Sequence, residues 1–308
     1  MIRDLRAYDV FRMLVDNRKT GPDLACTSDK LGYSASGILD QLSSAINLIT
    51  RKQNSRSKIC IDGHGIKGIV SARKRASSKV WEIHLLKLCA DLEHWASEFL
   101  EGLSLVASKE GADKILLRLP VGNRVEEIAK QAGFIQCETE TLYWREALLS
   151  QIQRESPYIR IMDKSDYYPV YRLYNEVVPQ KVKAIYASTL DEWGDVAEVY
   201  GNGIWQGVYG SQDFVRGWIQ VGSNRHAANV LNLMVHPEEE VSVSEALMSW
   251  GMQQSNFRHP FLCLVPYYQT SLSWILEKRG FIPIGEYCLW VKPTKARVMN
   301  SEMAPVGA

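Results

Sequence analysis

The sequence predicts an α/β protein, of α+β character, made of two tandem units. Each unit is a mixed, mostly antiparallel sheet flanked by helices. Three observations carry this. The chain has 308 residues, a length that divides into two domains of about 150 residues. A helix ending recurs, first as Lys130-Gln131-Ala132-Gly133-Phe134-Ile135 and later as Lys278-Arg279-Gly280-Phe281-Ile282. Each ending closes the same succession of β-rich and helix-periodic runs, and each is followed by a strand-like run with aromatics, Leu142-Tyr143-Trp144 and Leu289-Trp290-Val291. Repetition at long period is read before any single element.

In the first copy, Ile2 to Arg6 leads into an amphipathic stretch, Tyr8 to Leu14. Ser57 to Ile61 and Gly68 to Lys74 read as strands joined by a Gly-marked turn, and Val80 to Leu88, β-branched and alternating, as a third. Ser97 to Ala107 is apolar at helical spacing through Phe99, Leu100, Leu103, Leu105 and Val106. A buried strand, Lys114 to Leu119, and a helix, Val125 to Gln131, follow. The second copy opens with Ile159 to Met162 and Tyr167 to Leu173. Strands are expected at 204–209, 215–221, 229–235 and 261–265, and helices at 244–253 and 271–278. The expected domains are 1–150 and 157–295, with a polar linker near Ser150 to Pro157 and a loose tail over 296–308.

Composition narrows the function classes. The formal charge is +1, with 46% hydrophobic and 23% charged residues, ordinary for a globular protein and no argument for nucleic acid. The N-terminus opens on Arg3, Asp4 and Arg6 without the apolar run of a secretory leader, and no stretch has the length of a membrane span. The six cysteines form no CxxC pair, which points to reduced thiols in a cytoplasmic protein. The histidines have no metal-site spacing, so no metal is expected and His84 and His94 read as structural. Gly63-His64-Gly65-Ile66-Lys67-Gly68 matches GxGxxG by letter, but a β-rich run follows where a dinucleotide site needs a helix, so it reads as a hairpin. Basic residues flank that hairpin (Arg51, Lys52, Arg56, Lys58, then Arg73, Lys74, Arg75, Lys79), with few interleaved aromatics. A solvated surface is the simpler reading than a nucleic-acid patch.

The element order, with Gln269-Thr270-Ser271-Leu272-Ser273-Trp274-Ile275-Leu276-Glu277-Lys278-Arg279-Gly280-Phe281 as its most specific stretch, resembles the GNAT N-acetyltransferase superfamily in tandem form. The span Asn123 to Phe134 is a looser version, and the two resemblances cover nearly the whole chain. The resemblance implies an acyl-CoA, acetyl-CoA first, with its pyrophosphate on a loop at a helix N-terminus. That loop usually reads Gln/Arg-x-x-Gly-x-Gly/Ala. Here the first copy has Asp91-Leu92-Glu93-His94-Trp95-Ala96-Ser97 and the second Val235-His236-Pro237-Glu238-Glu239-Glu240-Val241, both without glycine. In the second copy the resemblance implies cofactor contacts from Leu233, Met234 and Val235, from Val241, Ser242, Val243 and Ser244, and from Gln269.

The Tyr that usually serves as general acid in this family is replaced by Leu276 and Ala129. Substitutes are sought in Glu82, Tyr267 and Tyr268, against the alternative of an exposed strand carboxylate and two packing tyrosines. The aromatic wealth of the second copy points to a cleft or to packing between the copies, and the resemblance, in which the early helices border the acceptor cleft, implies an acceptor near Tyr186 and Trp193. Two readings stand: an acyl-CoA-dependent N-acyltransferase taking a small amine or a peptide N-terminus, with the second copy active, and a non-catalytic pair of GNAT-like domains that binds a ligand or partner.

Overall fold

In the computed structural model, residues 2–6, 8–9, 21–31, 55–62, 65–89, 95–147, 159–198, 204–224, 228–239, 241–256 and 258–294 are described. The expected stretch beyond Asp9, residues 91–94, the linker and the tail beyond Thr294 lie outside them. The first repeat contributes β1 (Ile2–Asp4), β2 (Ser55–Asp62), β3 (Gly65–Lys74), β4 (Val80–Leu88), α1 (Trp95–Lys109), β5 (Lys114–Pro120), α2 (Val125–Gln131) and β6 (Ile135–Arg145). The second contributes β7 (Ile159–Ile161), three helices, α3 (Tyr167–Val177), α4 (Gln180–Tyr186) and α5 (Leu190–Asp195), and then β8 (Trp205–Ser211), β9 (Phe214–Ser223), β10 (Asn229–Val235), α6 (Val241–Gln254), β11 (Phe261–Pro266), α7 (Thr270–Lys278) and β12 (Ile282–Pro293). The hydrophobic periods read from sequence place most of these elements within a few residues, and β4, α2 and β10 to the residue, whereas α4 and α5 have no counterpart in that reading.

The twelve strands among the described residues form one sheet, in the order β1-β2-β3-β4-β5-β12-β6-β11-β10-β9-β8-β7. The two repeats do not close separately. The last strand of each pairs with the other: β12 lies against β5, β6 lies against β11, and β6 and β12 pair antiparallel at the centre. Among the described residues, only β4–β5 and β10–β11 are parallel pairs. The hairpin reading of the glycine motif agrees with the pairing, since Asp62 stands opposite Gly65 and a strand follows.

The repeated Gly-Phe ending works as its chemistry requires. Gly133 and Gly280 take φ of 83° and 80°, the left-handed region that favours glycine. The next N–H turns back, Phe134 to Ala129 O at 2.9 Å and Phe281 to Leu276 O at 3.0 Å. Each Phe is 2% exposed, and burial of such a side chain contributes about 2 kcal/mol. One core packs α1 and α2 on the first repeat, with Phe99, Leu100 and Leu103 against Trp81 and Leu117. Another packs α6 and α7 on the second, with Leu247, Met248 and Ile275 against Leu231 and Cys263. The close approach of α6 needs Gly207 and Gly217, where a Cβ would stand 2.7 Å from the Trp250 ring and 2.7 Å from Leu247. A third core brings Val170, Leu173 and Val182 of α3 and α4 against Met234 and also against Val80, Leu116 and Leu289, so those helices span the join. No helix among the described residues is long and apolar enough to cross a membrane.

Because β5 and β11 each need the other repeat's last strand, fragments 1–150 and 151–308 should be largely unfolded or aggregated alone and should fold as a one-to-one complex when coexpressed. Circular dichroism and size-exclusion chromatography of the separate and joined fragments check this.

Candidate functional site

Each repeat contains a wedge where its two parallel strands part. In the first, β4 and β5 pair only at Val80–Glu82 against Lys114–Leu116. In the second, β10 and β11 pair only at Asn229–Leu231 against Phe261–Cys263. Beyond those residues the facing backbone edges lose their sheet partners and need others.

In the first repeat the chain itself supplies them. Residues 21–31 run into the wedge, where Asp23 forms a bridge with Lys87. The Leu24 N–H donates to Leu86 O at 2.8 Å, and Cys26 N–H to Arg118 O at 2.9 Å. Asp23 Oδ1 accepts from Leu86 N–H at 2.9 Å, and Lys30 Nζ donates to His84 O. In the second repeat the wedge opens into a cavity of about 1020 Å³. Leu233 and Met234 stand on its β10 side, Leu264 and Pro266 on its β11 side, and Gln269 Nε2 reaches Leu233 O at 3.3 Å.

The inner end of the cavity carries charge from the exchanged strand. Side chains alternate across β6, so Glu138 and Glu140 share a face with Leu142 and Trp144, and both glutamates line the cavity. Glu140 is held by Arg118 of β5, with Nε–Oε2 at 2.6 Å. Arg118 also reaches Glu198 at 2.9 Å, and Glu198 meets Arg75 at 3.2 Å. Arg75 continues to Glu82 at 3.0 Å, Glu82 to Arg73 at 2.9 Å, and Arg73 to Asp29 through two bonds of 2.9 and 2.8 Å. Three guanidiniums are thus shared by four carboxylates, and a fifth carboxylate, Glu138, is paired with none of them. Its side chain hydrogen-bonds Tyr268, its Oε2 has no partner although buried, and the residue is 7% exposed.

Burial first, and then the charge of Glu140, pushes the Glu138 carboxyl up to about 8. Burial raises Glu140 too, against the pull of Arg118. Glu198 goes the other way, down to about 2, because Arg118 and Arg75 outweigh its desolvation. Burial pushes the Tyr268 hydroxyl up, with Glu138 adding to the effect, so it stays a donor.

Several expected site residues meet here. Tyr268, Gln269, Leu233, Met234, Tyr186 and Trp193 all line the cavity. The Tyr186 hydroxyl accepts from Arg75 Nη1 at 3.0 Å, and the Trp193 ring lies 5.0 Å from that of Tyr167. Others fall elsewhere. Tyr267 is 54% exposed and stands edge-on to Tyr268 outside the lining. Glu82 is buried between Arg73 and Arg75 at the closed wedge, where it holds charge together and does not face the cavity. Val235 ends β10 beyond the lining. Val241, Ser242, Val243 and Ser244 form the first turn of α6, with Val243 and Ser244 buried. Arg216 draws Glu239 and Glu238 to itself at 2.7 and 3.2 Å. The basic residues near the β2–β3 hairpin are engaged as well: Arg56 and Lys74 with Glu110, Lys58 with Asp4.

Sequence reading missed Glu138, Glu140, Arg118 and Glu198. A signal for the first two was present: Glu138-Thr139-Glu140-Thr141-Leu142 puts two carboxylates on the same face of a strand as an apolar residue.

Arg75→Met should destabilise the protein by about 3–5 kcal/mol, because it leaves Asp29, Glu82, Glu198 and Glu140 to share Arg73 and Arg118 alone. Denaturant unfolding against the parent protein measures it.

No family profile and no curated protein sequence matches the chain. Solved structures do. A tandem GNAT protein from the clavulanic acid biosynthesis pathway aligns over 96% of this chain and 99% of its own, at 12% identity and TM-score 0.52. A GCN5-related N-acetyltransferase from Sphaerobacter thermophilus aligns over 96% of both chains at 11% identity and TM-score 0.56. A putative acetyltransferase from Pyrococcus horikoshii aligns over 96% of this chain and 89% of its own, at 12% identity and TM-score 0.51. At these identities the likeness establishes architecture, and the chain has the tandem GNAT fold.

Proposed function

We propose that the protein is an acyl-CoA-dependent N-acyltransferase with one working site, in the second repeat, acting on an amine. The observation that carries this is the pairing of an open wedge with a buried carboxylate at its inner end that has no paired cation and one oxygen without a hydrogen bond. The first repeat serves as scaffold: residues 21–31 occupy its wedge, and its β6 supplies Glu138 to the other repeat's cavity. Six free cysteines support a reducing compartment such as the cytoplasm.

The second wedge fits an acyl-CoA at its thioester end. The divergent β10 edge offers backbone to a pantetheine arm, with Leu233 O already used by Gln269. At α6, the exposed Val241 and Ser242 begin the helix, and Arg216, paired with both Glu238 and Glu239, offsets one of their two negative charges. Bound there, acyl-CoA would supply a carbonyl activated toward attack by an amine.

The chain's own part is to receive and deprotonate the amine. An ammonium must lose a proton before its nitrogen has a lone pair. Glu138, raised toward neutrality, is matched to take that proton near pH 8. Tyr268 orients it by donating a hydrogen bond that favours the ionised form. Arg118 holds Glu140 and Glu198, which keeps their charges from forcing the Glu138 carboxyl higher still. The alternative, a ligand-binding protein without turnover, draws on the missing loop glycines.

Glu138 must be ionised to act, so kcat for acetyl transfer should rise with pH through about 8. Glu138→Gln should lower kcat by about 10²–10⁴-fold and abolish that rise. Tyr268→Phe should move the rise to higher pH, because the lost hydrogen bond favoured the carboxylate. The groups facing Glu138 are Glu140, Arg118, Glu198, Tyr174, Tyr186 and Tyr268, and of these only Tyr268 is altered. A pH–rate series on the three proteins, with unchanged profiles as the contrary result, tests the assignment.

A further inference from the structure

The walls of the cavity differ sharply from its inner end. The lining includes the partly or fully buried Trp193, Trp218 and Val178 and, on the exposed side that marks the mouth, Tyr167, Ile161, Ile204 and Trp205. Ile161 is 61% exposed, Ile204 47% and Trp205 44%, a clustering of large apolar side chains that costs free energy in water unless something covers it. Two polar groups of this wall are engaged, Gln206 Oε1 accepting from Trp218 Nε1 at 3.2 Å and Asp163 accepting from Ser165 N–H at 2.6 Å, and the neutral amides of Gln220 and Asn232 also line the cavity. Lys164 is the cation at the mouth; at the inner end Arg118 is committed to Glu140 and Glu198.

We infer that the acceptor is an amphipathic primary amine, with its ammonium on Glu138 and an apolar body of about aromatic size along the Tyr167, Trp193 and Trp205 wall. Two independent observations converge on this. The inner end has carboxylates in excess over guanidiniums and a buried carboxylate oxygen without a partner, which an N–H donor of positive charge satisfies. The aromatic and aliphatic side chains that predominate in the walls suit an apolar body better than the several hydroxyls of a sugar or the added charges of a polyamine. Aromatic faces near the inner end also favour a cation over an anion.

This rests on reading the cavity as the acceptor site, and binding without turnover separates the two. Isothermal titration of the full chain with 2-phenylethylamine, ethylamine, spermidine and 3-phenylpropanoate, without acyl-CoA, is the test. 2-Phenylethylamine should bind about 10- to 100-fold more tightly than ethylamine, by the value of its buried ring. It should also exceed spermidine, and 3-phenylpropanoate should bind most weakly. Glu138→Gln should weaken 2-phenylethylamine about 10- to 100-fold, and the mouth variant Trp205→Ala should weaken it several-fold while leaving ethylamine unchanged. Equal or tighter binding of spermidine or ethylamine overturns the inference even if acetyl transfer occurs. Binding in the stated order without acetyl transfer supports the inference and overturns the enzymatic reading instead.

Discussion

The antiparallel pairing of β6 with β12 makes the rest of the molecule possible. Each repeat ends in a strand that its own sheet does not use, and the exchange leaves no exposed edge at the centre of a twelve-stranded sheet. It also sets the chemistry. With β6 moved beside β11, Glu138 and Glu140 enter the second repeat's cavity, while Arg118 on β5 stays close enough to hold Glu140 from across β12. A site in one repeat thus depends on side chains of the other, and the ionic chain from Asp29 to Glu140 runs beneath the join as a buried seam.

Buried ion pairs of this sort contribute little net stability, because desolvation offsets attraction. Their effect here is on position and charge. Alternation of guanidinium and carboxylate keeps Asp29, Glu82, Glu198 and Glu140 paired, and leaves the one without a cation where the cavity begins. The same segment that brings Asp29 into the seam, residues 21–31, also fills the first repeat's wedge. Closure of one wedge and polarisation of the other therefore share a cause.

Much of this was legible in the sequence, for physical reasons. Gly133-Phe134 and Gly280-Phe281 signal a left-handed helix end and a core anchor wherever they occur, and hydrophobic period located the strands and helices around them. Tyr268, Gln269, Tyr186 and Trp193, which line one cavity, were assigned from the family resemblance and not from hydrophobic period. The strand exchange could not be read, since alternation tells a strand which face is buried but not which neighbour it pairs with. Glu82 was visible as a strand carboxylate, but the arginines that neutralise it come from pairings made only in the folded chain. Glu138 and Glu140 looked like an ordinary polar run until β6 was seen to lie at the centre of the sheet.

The central claim, one open site and one closed by the chain's own segment, is tested most directly by the stoichiometry of acetyl-CoA binding to the whole protein, measured by equilibrium titration. One equivalent per chain is expected, with binding retained when Asp23→Ala removes contacts in the first wedge. Two equivalents, or one equivalent that protects the first wedge and not β10 from amide hydrogen exchange, would contradict it.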